Sequence, residues 1–300
     1  MVKTIPSGAQ VLLAGAVDYA GLFPPAALSM PEAVAEYRRS RAAEDAWALG
    51  RFVVPAPRLV EFGSAARAQS LLPATVPFGI SALVGDDVQG HHAAIEQFNL
   101  DGRDQGGSVD AVECRASSIE EVHRLAERFG GVFECWIEVP LDASLPLLLD
   151  AMIRTPARPK IRMGGIEAGA FPGVDQVVQF LVEVVGRGLP FKATAGLHHP
   201  VRGEFRFTYD QDSPSGVMYG YLNLLLATAT LQAGGTAAEA RAVLLSSDPA
   251  AFAVDDLGAT WGGRHFSLEA LGRVRTGGMR AFGSCSFREP LAELLPLMVP

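Results

Sequence analysis

The chain is short of cysteine, of clustered basic residues and of long apolar runs, and each shortage removes a class of protein. Its three cysteines, Cys114, Cys135 and Cys285, are odd in number and lack metal-ligand spacing. That argues against a disulfide framework or zinc knuckle and for a reduced, cytoplasmic protein. No block of Lys and Arg offsets a formal net charge of -8, so neither nucleic acid nor anionic membrane is an expected partner. The longest apolar run, Leu222 to Leu231, is broken by Asn and Thr and is too short to span a bilayer. No charged start followed by an apolar block suggests a secretion signal. The Gly-x-Gly-x-x-Gly fingerprint is missing after the first expected strand, which weakens a dinucleotide-binding alternative. Internal repeats, low-complexity tracts and linkers are missing too, so residues 1–300 are expected to form one domain.

What is there is a regular alternation. With 300 residues and a hydrophobic fraction of 49%, the chain can build a large core. Strands are expected at Val11–Val17, Arg51–Pro55, Pro77–Val84, Val109–Arg115, Val132–Val139, Pro159–Met163, from Phe191 to Gly196, and at Met279–Ser284. Helices fall between them, with capping-box spacing at Ser29/Glu32, Ser118/Glu121 and Thr236/Glu239. Residues 200–215 read as a polar loop and Gly216–Leu231 as an apolar helix, so 200–275 is an elaborated crossover between strands seven and eight. Ala251–Val254 competes for the eighth place. Eight strands alternating with helices predict a parallel sheet, closed as a (β/α)8 TIM-like barrel, with an open doubly wound sheet as the runner-up.

Buried parallel strands are usually apolar throughout, and four consecutive strands here are not. Strand geometry puts alternate side chains on one face. Glu113 and Arg115 share a face, as do Glu134, Trp136 and Glu138, then Lys160 and Arg162, then Lys192 and Thr194. The opposite faces are apolar and must meet the helices, so the charged faces point into the barrel. Burying so many charges costs several kcal/mol per ion unless they are paired or serve a ligand. The expectation is a site at the C-terminal mouth, with Arg115, Glu138, Arg162, Lys192 and Thr194 nearest to it and Glu113 and Glu134 deeper, holding the others in place. A compensated structural network is the competing account.

Two loops have the composition of anion cradles, Gly164-Gly165 after Arg162 and the turn around Ser284 that opens onto a helix. His198 and His199 follow Gly196 in a loop closed by Pro200. A metal there would need Asp18 or Glu138 as further ligands, and the spacing does not favour it, so no metal and no cofactor are expected. Cys285 is a weak candidate nucleophile for want of a placed histidine. His91 and His92, adjacent on a helix, do not share a face and are expected on the surface. Trp261 to His265 is a candidate lid.

Lys192-Ala193-Thr194-Ala195-Gly196 resembles the Lys-Thr-Ser-Thr-Gly run of the deoxyribose-phosphate aldolase family, in which that lysine forms a Schiff base. Val112-Glu113-Cys114-Arg115 is similar to the Glu-x-Arg strand of type I dehydroquinate dehydratase, another Schiff-base barrel. In the aldolase family the second lysine lies on the strand after the first, whereas Lys160 lies on the strand before Lys192. The resemblance implies a cofactor-independent lyase of aldolase type. Its substrate would be a small anionic carbonyl compound, carboxylated or phosphorylated.

On that reading Lys192 is the nucleophile, its pKa lowered by burial and by a neighbouring cation, Lys160 or Arg162. Glu138, His198 or His199 moves protons, and Thr194 steadies the carbinolamine. Arg115, Arg162, the Gly164-Gly165 turn, Ser284 and Asp18 complete the substrate site. A metal-dependent isomerase or lyase using Asp18, Glu138 and His198 is the second reading, and a non-catalytic anion-binding barrel the third. The sequence leaves assembly into a homo-oligomer open.

Overall fold

The computed structural model describes residues 5–299. Seven strands follow in chain order: β1 (Val17–Tyr19), β2 (Leu49–Pro55), β3 (Phe78–Leu83), β4 (Gly107–Arg115), β5 (Glu134–Glu138), β6 (Ala157–Arg162) and β7 (Phe191–Thr194). Two short hairpin strands come next, β8 (Gly203–Arg206) and β9 (Ser215–Met218), then a small antiparallel sheet of β10 (Phe252–Val254), β11 (Gly258–Trp261) and β12 (Arg264–Ser267). The last strand is β13 (Met279–Ser284). Strands β1 to β7 and β13 form a closed parallel barrel in the ring order β1-β13-β7-β6-β5-β4-β3-β2, with helices between successive strands. This is the (β/α)8 architecture expected from the alternation. Met279–Ser284, not Ala251–Val254, takes the eighth place and closes the ring between β7 and β1.

The helices bind the barrel through apolar stripes. Helix Ile119–Phe129 buries Val122, Leu125, Ala126 and Phe129, spaced as one helical face, and burying each of the three larger ones stabilises by roughly 1.5–3 kcal/mol. Its start is set by Ser118 Oγ, which accepts the N–H of Glu121 at 3.2 Å. Residues 168–186 are long and apolar enough to cross a membrane, yet here Val177, Phe180, Leu181 and Val184 belong to the core that packs on the barrel. On the strands, Cys135, Ile137, Ile161, Ala193 and Phe282 join that core, which leaves the alternate, charged positions facing inward.

Three local expectations are corrected. The Val11–Val17 run is mostly helix, Ser7–Leu13, and only Val17–Tyr19 is strand, because a short apolar run fits a buried helix as well as a buried strand. The loop at 200–215 contains β8, and Gly216 belongs to β9, so the apolar helix begins at Tyr221. Trp261–His265 is not a lid. Gly262 and Gly263, at φ 55° and 83°, make the turn joining β11 to β12, as a two-residue hairpin of positive φ requires. That sheet packs beside helix Ser7–Leu13, where Gly8 N–H donates to Asp255 O at 2.9 Å.

Charge also closes the N-terminal end of the barrel. Arg51 pairs with Asp110 at 2.7 Å and with Glu134 at 3.1 Å, and Arg280 approaches Glu134 at 3.9 Å. Glu134 therefore braces the floor, in keeping with its deep position in the strand.

Candidate active site

At the other end, a cavity of about 930 Å³ opens at the C-terminal ends of the strands. Arg115, Glu138, Arg162 and Lys192 all line it, so the shared parity of four strands does converge on one mouth. A second cleft, of about 750 Å³, lies at the N-terminal end, and its Arg51 and Asp110 already neutralise each other. Chemistry in this fold resides at the C-terminal ends of the strands, which singles out the mouth.

Beneath the mouth runs a chain of alternating acids and bases. Lys192 Nζ lies 2.5 Å from Asp18 Oδ2 and 2.6 Å from Glu113 Oε1. Glu113 Oε2 meets Lys160 Nζ at 3.1 Å, and Lys160 Nζ is also 3.1 Å from Glu138 Oε2. Glu138 Oε1 in turn meets Arg115 Nε at 3.2 Å. Ser81 Oγ donates to Glu113 Oε1 at 2.8 Å, and Asp18 Oδ1 accepts the N–H of Arg51 at 2.7 Å. The Lys192–Asp18 contact is an ion pair and not a well-angled hydrogen bond, since Oδ2 has no hydrogen-bond partner. Three carboxylates thus face three cations, two of them buried lysines and the third the exposed Arg115.

This geometry reverses one electrostatic expectation. Burial acts to lower the pKa of Lys192, and the adjoining Asp18 and Glu113 overcome it, so the ammonium is held above its ordinary value. The groups facing Lys192 Nζ are carboxylates, not the cation expected from Lys160 or Arg162. Glu113 moves the opposite way. Burial would raise it, but Lys192 and Lys160, with hydrogen bonds from Lys192 and Ser81, hold its carboxyl well below the usual carboxylate range.

The remaining expected residues divide between the mouth and its margin. Thr194 and Gly165 line the cavity beside Arg162, which has no ion pair among the described residues. Gly164 is a packing position: a Cβ there would lie 2.5 Å from the Phe171 ring and 3.0 Å from Gly196 Cα. Gly196 itself has φ 68°, where glycine is strongly favoured. Asp18 is 1% exposed and committed to Lys192, so it is no direct substrate ligand. Ser284 is also buried, its Oγ 3.2 Å from His198 Nδ1. The loop after β13 spends its polar groups internally, since the hydroxyls of Ser284 and Ser286 accept the N–H groups of Ser286 and Glu289.

His198 and His199 have separate partners. His198 lines the mouth next to Ser284 and Cys285, whose Sγ lies 3.8 Å from Nδ1. Burial pushes the His198 pKa down to about 4, aided by His199, so the imidazole is neutral at neutral pH. A histidine NMR titration should therefore place its midpoint near 4, and a midpoint above 6 would contradict this packing. His199 stacks on Phe205, and its Nδ1 pairs with Glu293 at 2.8 Å.

The set Asp18, Glu138 and His198 proposed for a metal is not assembled. The only group of three or more His, Cys, Asp or Glu donor atoms within 4.8 Å of one another, among the described residues, is His199, Glu289 and Glu293.

Sequence reasoning missed several residues. Arg124 lines the mouth from the helix after β4, and His91 does so too, fixed by the Gly85 N–H on its Nδ1 at 3.1 Å. Its neighbour His92 instead packs on Phe129. Cys285 has the histidine that sequence could not place, although burial raises its thiol pKa. Tyr209 Oη reaches Glu289 at 3.0 Å and Cys285 Sγ at 3.5 Å from the β8–β9 hairpin. One compositional signal was available throughout: the chain has three lysines, and two of them are register partners inside this barrel.

Comparison with protein-family models, with curated proteins and with solved structures finds no match for this chain.

Proposed function

We propose that the protein is a cofactor-independent lyase of aldolase type, acting on a small anionic carbonyl compound through an active-site lysine. The observation that carries it is the chain of alternating acids and bases beneath a mouth whose Arg162 remains uncompensated. A purely structural network would have no need of an open cavity above it, and burying ions for stability alone brings little net gain.

Of the two lysines, Lys160 is the better nucleophile. Lys192 is 1% exposed and clamped at 2.5 and 2.6 Å, whereas Lys160 is 5% exposed with both carboxylates at 3.1 Å. Lys192 is also held protonated by its partners. This exchanges the roles expected from the local resemblance.

In the reaction, Lys160 passes a proton to Glu138, 3.1 Å away, and the free amine attacks the carbonyl carbon. The acid so formed protonates the oxygen, which departs as water. Overall an ammonium and a carbonyl become an iminium and one water. The iminium then accepts the electron pair of the adjoining carbon–carbon bond. A base at the mouth, Glu138 or neutral His198, removes the proton from the hydroxyl of the leaving fragment, which departs as a carbonyl compound. Protonation of the enamine carbon and hydrolysis of the iminium restore Lys160. Arg162 would hold the anionic group and Thr194 the carbinolamine oxygen.

Borohydride reduction in the presence of candidate 2-oxo acids and sugar phosphates, followed by peptide mass mapping, tests this. The expected result is a single reduced adduct on Lys160. An adduct on Lys192 would exchange the roles again. Turnover of a carbonyl substrate without any adduct would remove the lysine mechanism.

A further inference from the structure

The two halves of the mouth differ in chemistry. In the ring order, β6 stands four places from β2, β5 four places from β1 and β7 four places from β3, so these pairs face each other across the barrel. The β5–β7 side carries Glu138, Lys160, Arg162 and Lys192, and Arg115 and Arg124 adjoin it from β4 and the helix after it. The β1–β3 side carries Phe23, Val53, Leu83 and Val88, with Pro24, Pro25, Pro55 and Pro57 between them. Proline has no backbone N–H, so four of the lining positions on that side offer no donor at all. Its ionisable groups are Asp86, which is exposed, and His91, whose Nδ1 is already occupied by Gly85 N–H.

A hydroxylated substrate lying across this mouth would press its hydroxyls against a wall poor in hydrogen-bond donors, and unpaired polar groups are costly to bury. An apolar substituent meets the opposite circumstance, because its removal from water is favourable in proportion to its area. The spacing on β6 fits as well. Lys160 and Arg162 are two residues apart on one face of β6, about 6.6 Å along the strand, and both line the mouth. That suits a carboxylate attached directly to, or near, the reacting carbonyl.

We infer that the substrate class is a 2-oxo acid bearing an alkyl or aryl group, its carboxylate on the Arg162 side and its apolar group on the β1–β3 side. The inference rests on the lysine reading for the carbonyl, but the two-sided recognition does not.

Calorimetric binding of unreactive acids therefore tests it without any covalent step. Acetate, butanoate, hexanoate and 3-phenylpropanoate should bind with Kd falling about four-fold for each added methylene, and glycerate and glycerol 3-phosphate should bind more weakly than hexanoate. Leu83→Asn should flatten the chain-length dependence. Arg162→Gln should weaken every acid by a similar factor, on the order of ten-fold. A Kd independent of chain length, or tighter binding of glycerol 3-phosphate, would overturn the inference, and the wild-type series alone decides this if a variant does not fold. The two readings also fail separately. A borohydride adduct without a chain-length gradient removes the substrate class only. A gradient that persists while no adduct forms, and that Lys160→Met leaves unchanged, removes the lysine chemistry and keeps the substrate class.

Discussion

Lys160→Met is expected to lower kcat by on the order of 10⁴-fold or more, since loss of a covalent nucleophile removes the reaction path and not one contact within it. Lys160→Arg should fail equally, because a guanidinium stays protonated and cannot attack a carbonyl. The fold should survive both. In Lys160→Met, Glu113 keeps Lys192 and Ser81, and Glu138 keeps Arg115, so no carboxylate loses its last cation. The stability loss should be below about 2 kcal/mol. Steady-state kinetics beside a thermal melt separates the effects. An inactive variant that is also unfolded at room temperature would mean that Lys160 is chiefly structural, and a variant keeping more than a tenth of wild-type kcat would exclude it as nucleophile.

Lys192→Met should behave in the opposite way, losing stability first. Asp18 is 1% exposed, and its Oδ2 has no cation other than Lys192 within ion-pair distance among the described residues. Removing that ammonium leaves an uncompensated buried carboxylate, which costs about 3–5 kcal/mol. An inward lysine is thus not a dispensable polar group, contrary to what its position at a strand end suggests.

Adding Asp18→Asn should recover much of the loss, because the orphaned charge is gone. A double mutant no more stable than Lys192→Met would show that the pair is not the origin of the cost.

The pH dependence follows from the same groups. The Glu113 carboxyl, held below its unfolded value, contributes stability that is present above about pH 4.3 and is lost as pH falls toward its folded pKa. Lys192, held above its unfolded value, contributes stability that is fully present below about pH 10.4 and is lost as pH rises through its folded pKa. Chemical denaturation should therefore show a plateau between these limits. Lys192→Met should weaken both limbs, since it removes the titrating ammonium and the nearer of the two cations beside Glu113.

The amino-acid order by itself determined the direction of the charged side chains. In β4 to β7 the alternation of charged and apolar residues has the period of a strand, and burial of the apolar face against helices leaves no other orientation for Glu113, Glu138, Lys160 and Lys192. The barrel followed from a different regularity, strands alternating with helices, although the first expected strand, Val11–Val17, is mostly helix. What local rules could not supply was the pairing. Lys192 meets Asp18 only because β13 closes the ring between β7 and β1, and it meets Glu113 only because strand stagger brings β4 and β7 side chains to one level across the interior. His198 found Cys285 for a similar reason, as loops after β7 and β13 become neighbours once those strands pair. Such contacts span 79 residues for Lys192–Glu113 and 87 for Cys285–His198. At those separations side-chain period carries no information, and the choice of partner belongs to ring closure and shear in the tertiary structure.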